Sequence, residues 1–169
     1  MRYVCRVLLA FLGCVPPPLV PIAPPVSAPT PGGQPLNIAS IDEEDLAALL
    51  RNRSSQVLVV NFWATWCGPC VEELSTLAGA SARAPDVRFA LVNVDDDGEA
   101  DALGAFAVRH SIALPLYHLA VGDSASTLRR TVPGWPDLIP VTLVVEPGGN
   151  VRHVFSGAVT PGSLLDVVR

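Results

Sequence analysis

The chain has 169 residues, enough for one domain with a substantial apolar core, and half of its residues are hydrophobic. Sixteen acidic residues outnumber eleven basic ones, all of them arginine, which gives a formal net charge of −5. This balance argues against a nucleic-acid-binding protein, because such a protein needs a basic surface to neutralise phosphates.

The first forty residues predict an export signal followed by a linker. The basic start "MRYVCR" leads into a nine-residue apolar run at 7–15, which is too short to span a bilayer as a helix. We therefore expect residues 1–15 to be an export signal or an N-terminal lipid or membrane anchor. The stretch "FLGC" loosely resembles a lipoprotein box, in which Cys14 would carry the lipid. The proline-dense segment 16–40 predicts a disordered tether.

Residues 41–169 predict an α/β domain. Apolar runs that suit buried strands alternate with amphipathic segments, and this order predicts a sheet with helices on both sides. Asp42 and Asp97 are candidate helix caps, and "PGGN" predicts a turn between two strands. The predicted helices lie at 41–53, 67–84, 98–111 and 160–169, and the predicted strands at 57–62, 87–94, 114–121, 141–146 and 151–156.

Two cysteines, Cys67 and Cys70, stand where a predicted buried strand ends and a helix begins, in "NFWATWCGPC". Residues three apart on a helix have neighbouring side chains, so a disulfide can close between them. Cys67 would lie at the helix N-terminus, where free N–H groups and the helix dipole stabilise a thiolate. Pro69 suits the first turn, which does not need its missing N–H. The pattern favours Cys67 as the attacking thiol and Cys70 as the resolving thiol.

Other roles for the pair fit the sequence less well. A zinc site needs two further ligands at suitable spacing, and the other two cysteines fall in the export segment. The three histidines, His110, His118 and His153, are scattered and are expected to be surface or edge residues. A structural disulfide that closes so short a loop would add little stability. We therefore predict redox chemistry without a metal or another cofactor.

The stretch "VLVVNFWATWCGPCVEEL" resembles the active-site strand, turn and helix of the thioredoxin superfamily, most closely the exported TlpA/ResA-like thiol-disulfide oxidoreductases. "IPVTLVVEPGGNV" at 139–151 resembles the second signature of that group, in which a cis-proline opens the hairpin strand, although Val141 stands where the pattern usually has threonine. The segment 98–135 is similar to the insertion that distinguishes the group from plain thioredoxin. The resemblance covers 41–169 and implies a thioredoxin-like fold with a central mixed sheet and a TlpA-type insertion.

The resemblance also implies roles for individual residues. Thioredoxin usually has a buried aspartate where this chain has Asn61, which cannot take a proton. Glu73, one turn beyond Cys70, is then the candidate base for the resolving thiol. The alternative from spacing alone is that Glu72 and Glu73 are surface acids in an early helical turn.

A client-binding surface follows from the same resemblance. Ile139–Pro140 is expected to be a cis peptide beside Cys67, and the backbone of Ile139 would pair with an extended client strand. Trp66 is a further candidate for client binding. Trp135 could line the same groove, although a tryptophan that covers the core is the simpler interpretation.

The implied partners are proteins with thiols or disulfides, such as cytochrome c or copper-site cysteines, and a membrane thiol-disulfide relay that supplies electrons. The implied location is the periplasm or the outer face of the cytoplasmic membrane. Gly68 and Pro69 form the dipeptide of reducing thioredoxins, which favours a disulfide reductase. Two alternatives remain open from the sequence: an oxidase that donates disulfides, and a Cu(I)-delivery protein that would need a third ligand.

Overall fold

The computed structural model describes residues 38–169, so the predicted export signal and nearly all of the proline-rich linker lie outside the described residues. Within 38–169, no helix is long and apolar enough to cross a lipid bilayer. Six strands, five α-helices and one 3₁₀ turn at Asp97–Glu99 make up this part of the chain. In chain order the strands and α-helices are β1 (Ala39–Ile41), α1 (Glu43–Leu50), β2 (Leu58–Trp63), α2 (Gly68–Arg83), β3 (Arg88–Asn93), α3 (Ala100–Arg109), β4 (Leu116–Leu119), α4 (Ser124–Thr131), β5 (Val141–Val145), β6 (Val151–Ser156) and α5 (Pro161–Val168).

The strands form one mixed sheet in the order β1-β4-β3-β2-β5-β6. The pairs β1–β4, β4–β3 and β3–β2 are parallel, whereas β2–β5 and β5–β6 are antiparallel. The central strand β2 leads directly to the cysteine pair, and its neighbour β5 places Thr142 opposite Asn61. This arrangement confirms the α/β thioredoxin-like fold expected from the sequence.

The side chains of β2 alternate between two apolar cores, one on each face of the sheet. Val59 and Trp63 pack with α2, α3 and α5, whereas Val60 and Phe62 pack with α1 and α4. All four side chains are buried because helices cover both faces, which explains the continuous apolar run in the sequence. Since side chains alternate along a strand, Asn61 lies on the face that α2 covers.

Two elements were not predicted. The edge strand β1 begins at Ala39, so the domain starts two residues before the expected boundary and includes the end of the predicted linker. Helix α4 lies within the segment compared with the family's insertion. Its eight residues are mostly polar, and only Thr127 and Leu128 are buried, so its apolar periodicity is too weak to predict a helix.

The two predicted helix caps had different outcomes. Asp42 caps α1 as expected, because its carboxylate accepts a hydrogen bond from the Asp45 N–H at 2.9 Å. The assignment of Asp97 was wrong, since this residue begins a 3₁₀ turn and its carboxylate accepts from the Gly122 N–H at 3.2 Å. The Asp97 side chain therefore binds the backbone of a distant loop and does not cap α3. The predicted turn between β5 and β6 is present.

Candidate active site

Cys67 and Cys70 form a disulfide at the N-terminus of α2, with their Cα atoms 5.2 Å apart. Cys67 is the N-cap of this helix, and its Sγ accepts a hydrogen bond from the Cys70 N–H at 3.3 Å. Pro69 lies in the first turn, as the sequence predicted. Cys67 is 7% exposed and Cys70 is fully buried, so Cys67 is the more accessible sulfur. An N–H donor directed at Sγ of Cys67 stabilises a thiolate there once the disulfide is reduced.

Glu73 lies inside the protein at the second turn of α2, only 3% exposed. Its Oε1 accepts a hydrogen bond from the Val159 N–H at 2.8 Å, and its Oε2 accepts from Asn61 Nδ2 at 3.3 Å. Asn61 Nδ2 also donates to Thr142 Oγ1 at 2.9 Å. The interpretation of Glu73 as a surface acid is therefore wrong, although it holds for the exposed Glu72.

The hydrogen-bonding capacity of the buried Asn61 side chain is only partly satisfied. Its amide nitrogen donates to Glu73 and Thr142, but no described residue donates a hydrogen bond to its buried Oδ1. A buried carbonyl oxygen without a donor is costly. Glu73 Oε2 now accepts a hydrogen bond from Asn61 Nδ2. A protonated Glu73 would donate to Asn61 Oδ1 only if the Asn61 amide turned to face it.

The environment of Glu73 changes its acidity. Burial raises the pKa of the Glu73 carboxyl above its ordinary value, because desolvation disfavours the charged form. The hydrogen bonds from Val159 and Asn61 stabilise the carboxylate and offset part of this effect. A raised pKa makes the Glu73 carboxylate a better proton acceptor than an exposed glutamate.

The other predicted site residues lie around Cys67. The Ile139–Pro140 peptide is cis, and the Ile139 carbonyl oxygen lies 4.0 Å from Cys67 Sγ. The sulfur has no hydrogen to donate while it is in the disulfide, so this approach is a contact. Trp66, the residue before Cys67, is 68% exposed. The structure places Trp66 and Ile139 at one surface beside Cys67, and their contacts with a client remain a prediction.

A second buried polar network, which the sequence analysis missed, supports the turn before Cys67. The Asp95 carboxylate accepts hydrogen bonds from the Thr65 N–H at 3.0 and 3.3 Å and from Asn93 Nδ2 at 3.0 Å. His118 Nδ1 lies 3.1 Å from Asn93 Oδ1, and His118 Nε2 lies 3.5 Å from Asp97 Oδ1. The signal in the sequence was a polar "NVDDD" at the end of a buried strand, adjacent to the strand that leads to the cysteines.

His118 corrects the expectation that all three histidines are surface or edge residues. It is only 2% exposed, because β4 lies between β1 and β3 and the side chain points into the network of Asn93 and Asp97. His110 and His153 are exposed, as expected. Trp135 covers the core as expected, with its ring edge-on to Phe62 at 5.3 Å.

Residues 38–169 contain no group of three or more histidine, cysteine or acidic side chains arranged to hold a metal ion. The Cu(I)-delivery hypothesis requires a third ligand beside Cys67 and Cys70. Among the side chains that the structure describes, no third histidine, cysteine or carboxylate is grouped with this pair.

Comparisons with known proteins show that the chain is similar to thioredoxin and to proteins named as thiol-disulfide oxidoreductases. The family model for thioredoxin matches residues 37–127, more than half of the chain. The thiol:disulfide interchange protein DsbE homolog of Paracoccus denitrificans is 36% identical over 109 residues, covering 62% of this chain and 53% of that protein. The thiol-disulfide oxidoreductase ResA of Oceanobacillus iheyensis is 27% identical over 103 residues, covering 61% and 50%. The chain spans about half the length of these curated relatives.

A solved structure with a similar fold extends this result. A secreted thiol-disulfide isomerase from Corynebacterium glutamicum superposes with a TM-score of 0.56 at 27% identity, covering 68% of this chain and 70% of that one. The sequence match, the sheet topology and the position of the disulfide agree, and the chain belongs to the thioredoxin family.

Proposed function

We propose that this protein is an extracytoplasmic thiol-disulfide oxidoreductase that reduces disulfides in client proteins through Cys67 and Cys70. The observation that carries the proposal is the Cys67–Cys70 disulfide at the start of α2, with the Cys70 N–H donating to Cys67 Sγ. The relatives named as thiol-disulfide oxidoreductase and interchange protein support the same chemistry. Gly68 and Pro69, the dipeptide of reducing thioredoxins, support reduction rather than oxidation of the client.

In the reaction, the Cys67 thiolate attacks one sulfur of the client disulfide. The client S–S bond breaks, its second sulfur leaves as a thiolate, and a mixed disulfide joins Cys67 to the client. The Cys70 thiol then loses its proton, and its thiolate attacks Cys67 Sγ. The mixed disulfide breaks, the client leaves with two reduced sulfurs, and the protein holds the oxidised pair. Two electrons have passed from protein to client.

Glu73 is the proposed acceptor of the Cys70 proton. Cys70 is fully buried, and Asn61 at the position beneath the pair cannot take a proton. Glu73 lies one helical turn beyond Cys70, is itself buried, and has a pKa raised by that burial. A general base is most effective when its pKa lies near the working pH.

The client is proposed to bind as an extended strand beside Ile139, whose carbonyl oxygen already lies against Cys67 Sγ. Backbone pairing of this kind gives affinity with little dependence on the client sequence. The exposed indole of Trp66, which lines the same cavity as Ile139, supplies apolar contact for this strand.

Catalysis requires a supply of electrons outside the cytoplasm. We propose that a membrane thiol-disulfide relay reduces the Cys67–Cys70 disulfide after each cycle, and that residues 1–40 export or tether the domain. The basic start, the short apolar run and the proline-rich segment support this location, as does the secreted relative from Corynebacterium glutamicum. The clients proposed from the resemblance are cytochrome c or copper-site cysteines.

A disulfide-reduction assay tests the activity. The protein, reduced beforehand, should reduce insulin, and the Cys67→Ser/Cys70→Ser double variant should not. Equal activity of the parent and the double variant would refute the proposal. A Cys70→Ala variant should trap clients as mixed disulfides in cells, and their identification by mass spectrometry would test the proposed client class. Recovery of the full chain in the cytosol with its N-terminus intact would refute the proposed location.

A further inference from the structure

A cavity of about 550 Å³ lies beside the redox disulfide. Trp66 on its wall directly precedes Cys67, and Ile139 on its wall contacts Cys67 Sγ, so the cavity adjoins the attacking sulfur. The segment after β3, the start of α4 and the loop before Pro140 form the rest of the wall. We call this cavity the lateral groove and define it by Trp66, Asp96, Asp123, Arg129, Asp137 and Ile139.

The lateral groove presents apolar surface to solvent. Three large apolar side chains are exposed within residues 38–169: Trp66 at 68%, Val108 at 69% and Leu138 at 43%. Two of them, Trp66 and Leu138, line this groove, and Trp135 also contributes to its wall. Exposed apolar side chains gathered in a cavity next to a reactive centre mark a binding surface.

The charges that line the lateral groove are mainly negative. Its lining contains three carboxylates and one guanidinium, and Arg129 Nε pairs with Asp137 Oδ1 at 2.6 Å. This pair leaves Asp96 and Asp123 as two negative charges in excess. Both are exposed, and Asp123 also caps α4 and lies in the field of Arg129, so they attract a cation on the client modestly and in a salt-dependent way.

We propose that the lateral groove selects client segments in which a lysine or arginine and an apolar residue lie within a few residues of the reactive cysteine. The inference rests on the proposed disulfide exchange, and it adds the chemical class of the client. Successive residues of an extended strand are about 3.3 Å apart, so side chains close to the client cysteine reach the groove wall. A second copy of this chain, with a formal net charge of −5, is a poorer electrostatic partner for the same surface.

The test uses peptides that contain one disulfide loop and differ at one position near the target cysteine. Lysine, glutamine and glutamate at that position form the series, with leucine beside it in every peptide. We expect the rate constant for reduction to fall in the order lysine, glutamine, glutamate, by about two- to fivefold for each carboxylate that the client faces. The preference should weaken at 0.5 M salt, because exposed charge pairs are screened.

Variants of the groove identify the carboxylates that act. Asp96→Asn and Asp137→Asn should each lower the ratio of lysine-peptide to glutamine-peptide rates, and Asp137→Asn also releases Arg129 from its ion pair. Asp86→Asn is the matched control, because it removes the same charge from an exposed residue outside the groove and should leave the ratio unchanged. Asp123 is unsuitable for substitution, since it caps α4.

Two results would overturn the inference: equal rates for the lysine and glutamate peptides, or an equal loss of the lysine preference in the Asp86→Asn control. Reduction of the neutral small molecule 2-hydroxyethyl disulfide measures the proposed exchange activity separately from the proposed client class. If the parent reduces this molecule but shows no peptide preference, the client class is wrong and the activity stands. If the parent reduces neither this molecule nor any peptide, the proposed function itself fails.

Discussion

Glu73 and Val159 are joined by a 2.8 Å hydrogen bond from the Val159 backbone N–H to Glu73 Oε1, although 86 residues separate them in the chain. Glu73 belongs to the active-site helix, and Val159 lies in the segment between β6 and α5. The buried carboxylate therefore ties the helix that carries the cysteines to the C-terminal part of the domain, on the same face of the sheet. One side chain thus has both a structural role and a proposed chemical role.

The raised pKa of Glu73 predicts a dependence of stability on pH. Burial makes the folded chain hold the Glu73 proton more tightly than the unfolded chain does, so ionisation opposes folding. The stabilisation is fully present below the ordinary pKa of 4.5 and is lost as pH rises through the higher folded value. Glu73→Gln does not titrate. We therefore expect the free energy of unfolding of the parent, relative to that of Glu73→Gln, to decrease from pH 4.5 upward.

Urea denaturation at several pH values measures this difference. Glu72→Gln is the control, because Glu72 is exposed on the same turn of α2. Its free energy of unfolding relative to the parent should not follow the same pH dependence. A constant difference between the parent and Glu73→Gln across the range would contradict the assignment of the raised pKa.

Kinetics separate the structural role of Glu73 from its proposed role as a base. Glu73→Gln should leave attack by Cys67 nearly unchanged and slow the resolving step by about 10²-fold, the lower end of the range for a general base. The loss should shrink at high pH, where Cys70 ionises unaided. Stopped-flow measurement of the two steps at several pH values tests this, with Glu72→Gln as the control. Unchanged resolution in Glu73→Gln would leave this residue with its structural role alone.

The two cysteines should differ in reactivity once reduced. Cys67 Sγ receives the Cys70 N–H and is the more exposed sulfur, whereas Cys70 is fully buried. We expect Cys67 to be alkylated about tenfold faster than Cys70 near pH 7, because stabilisation of the thiolate at the helix N-terminus and access to solvent act in the same direction. Mass spectrometry of the two labelled positions measures the rates, and Cys70→Ser should accumulate mixed disulfides that Cys67→Ser cannot form. Equal alkylation rates would contradict the assignment of Cys67 as the attacking thiol.

Local sequence patterns predicted the central part of the fold and site. The continuous apolar run of β2 indicated a strand buried on both faces, and the cysteine pair after it indicated a strand-to-helix junction. These signals are strong because each depends on neighbours in the chain: β-branched residues favour a strand, and Pro69 suits a first helical turn. The cis peptide before Pro140 came from the family resemblance, since trans is the usual form.

The missed features depend on contacts between distant parts of the chain. His118 looked like a surface residue because its sequence gives no sign that β4 is an inner strand. The Val159 partner of Glu73 is a backbone N–H, which any residue type supplies. Helix α4 has only two buried residues, and Leu128 joins it to the core on the α1 face, so its place in the fold depends on distant residues rather than on a clear apolar stripe.

Asp95 provides the last prediction, because its carboxylate holds the turn that leads to the active site. It is only 1% exposed and accepts hydrogen bonds from the Thr65 N–H and from Asn93 Nδ2. Asp95→Ala leaves both donors without a partner, so we expect it to lower the free energy of unfolding by about 1–3 kcal/mol. The exposed control Asp86→Asn should stay within about 0.5 kcal/mol of the parent. Because Thr65 lies two residues before Cys67, loss of this anchor should also reduce the tenfold difference in alkylation rate between the cysteines. If Asp95→Ala is destabilised while the ratio of alkylation rates stays that of the parent, Asp95 stabilises the domain without positioning Cys67.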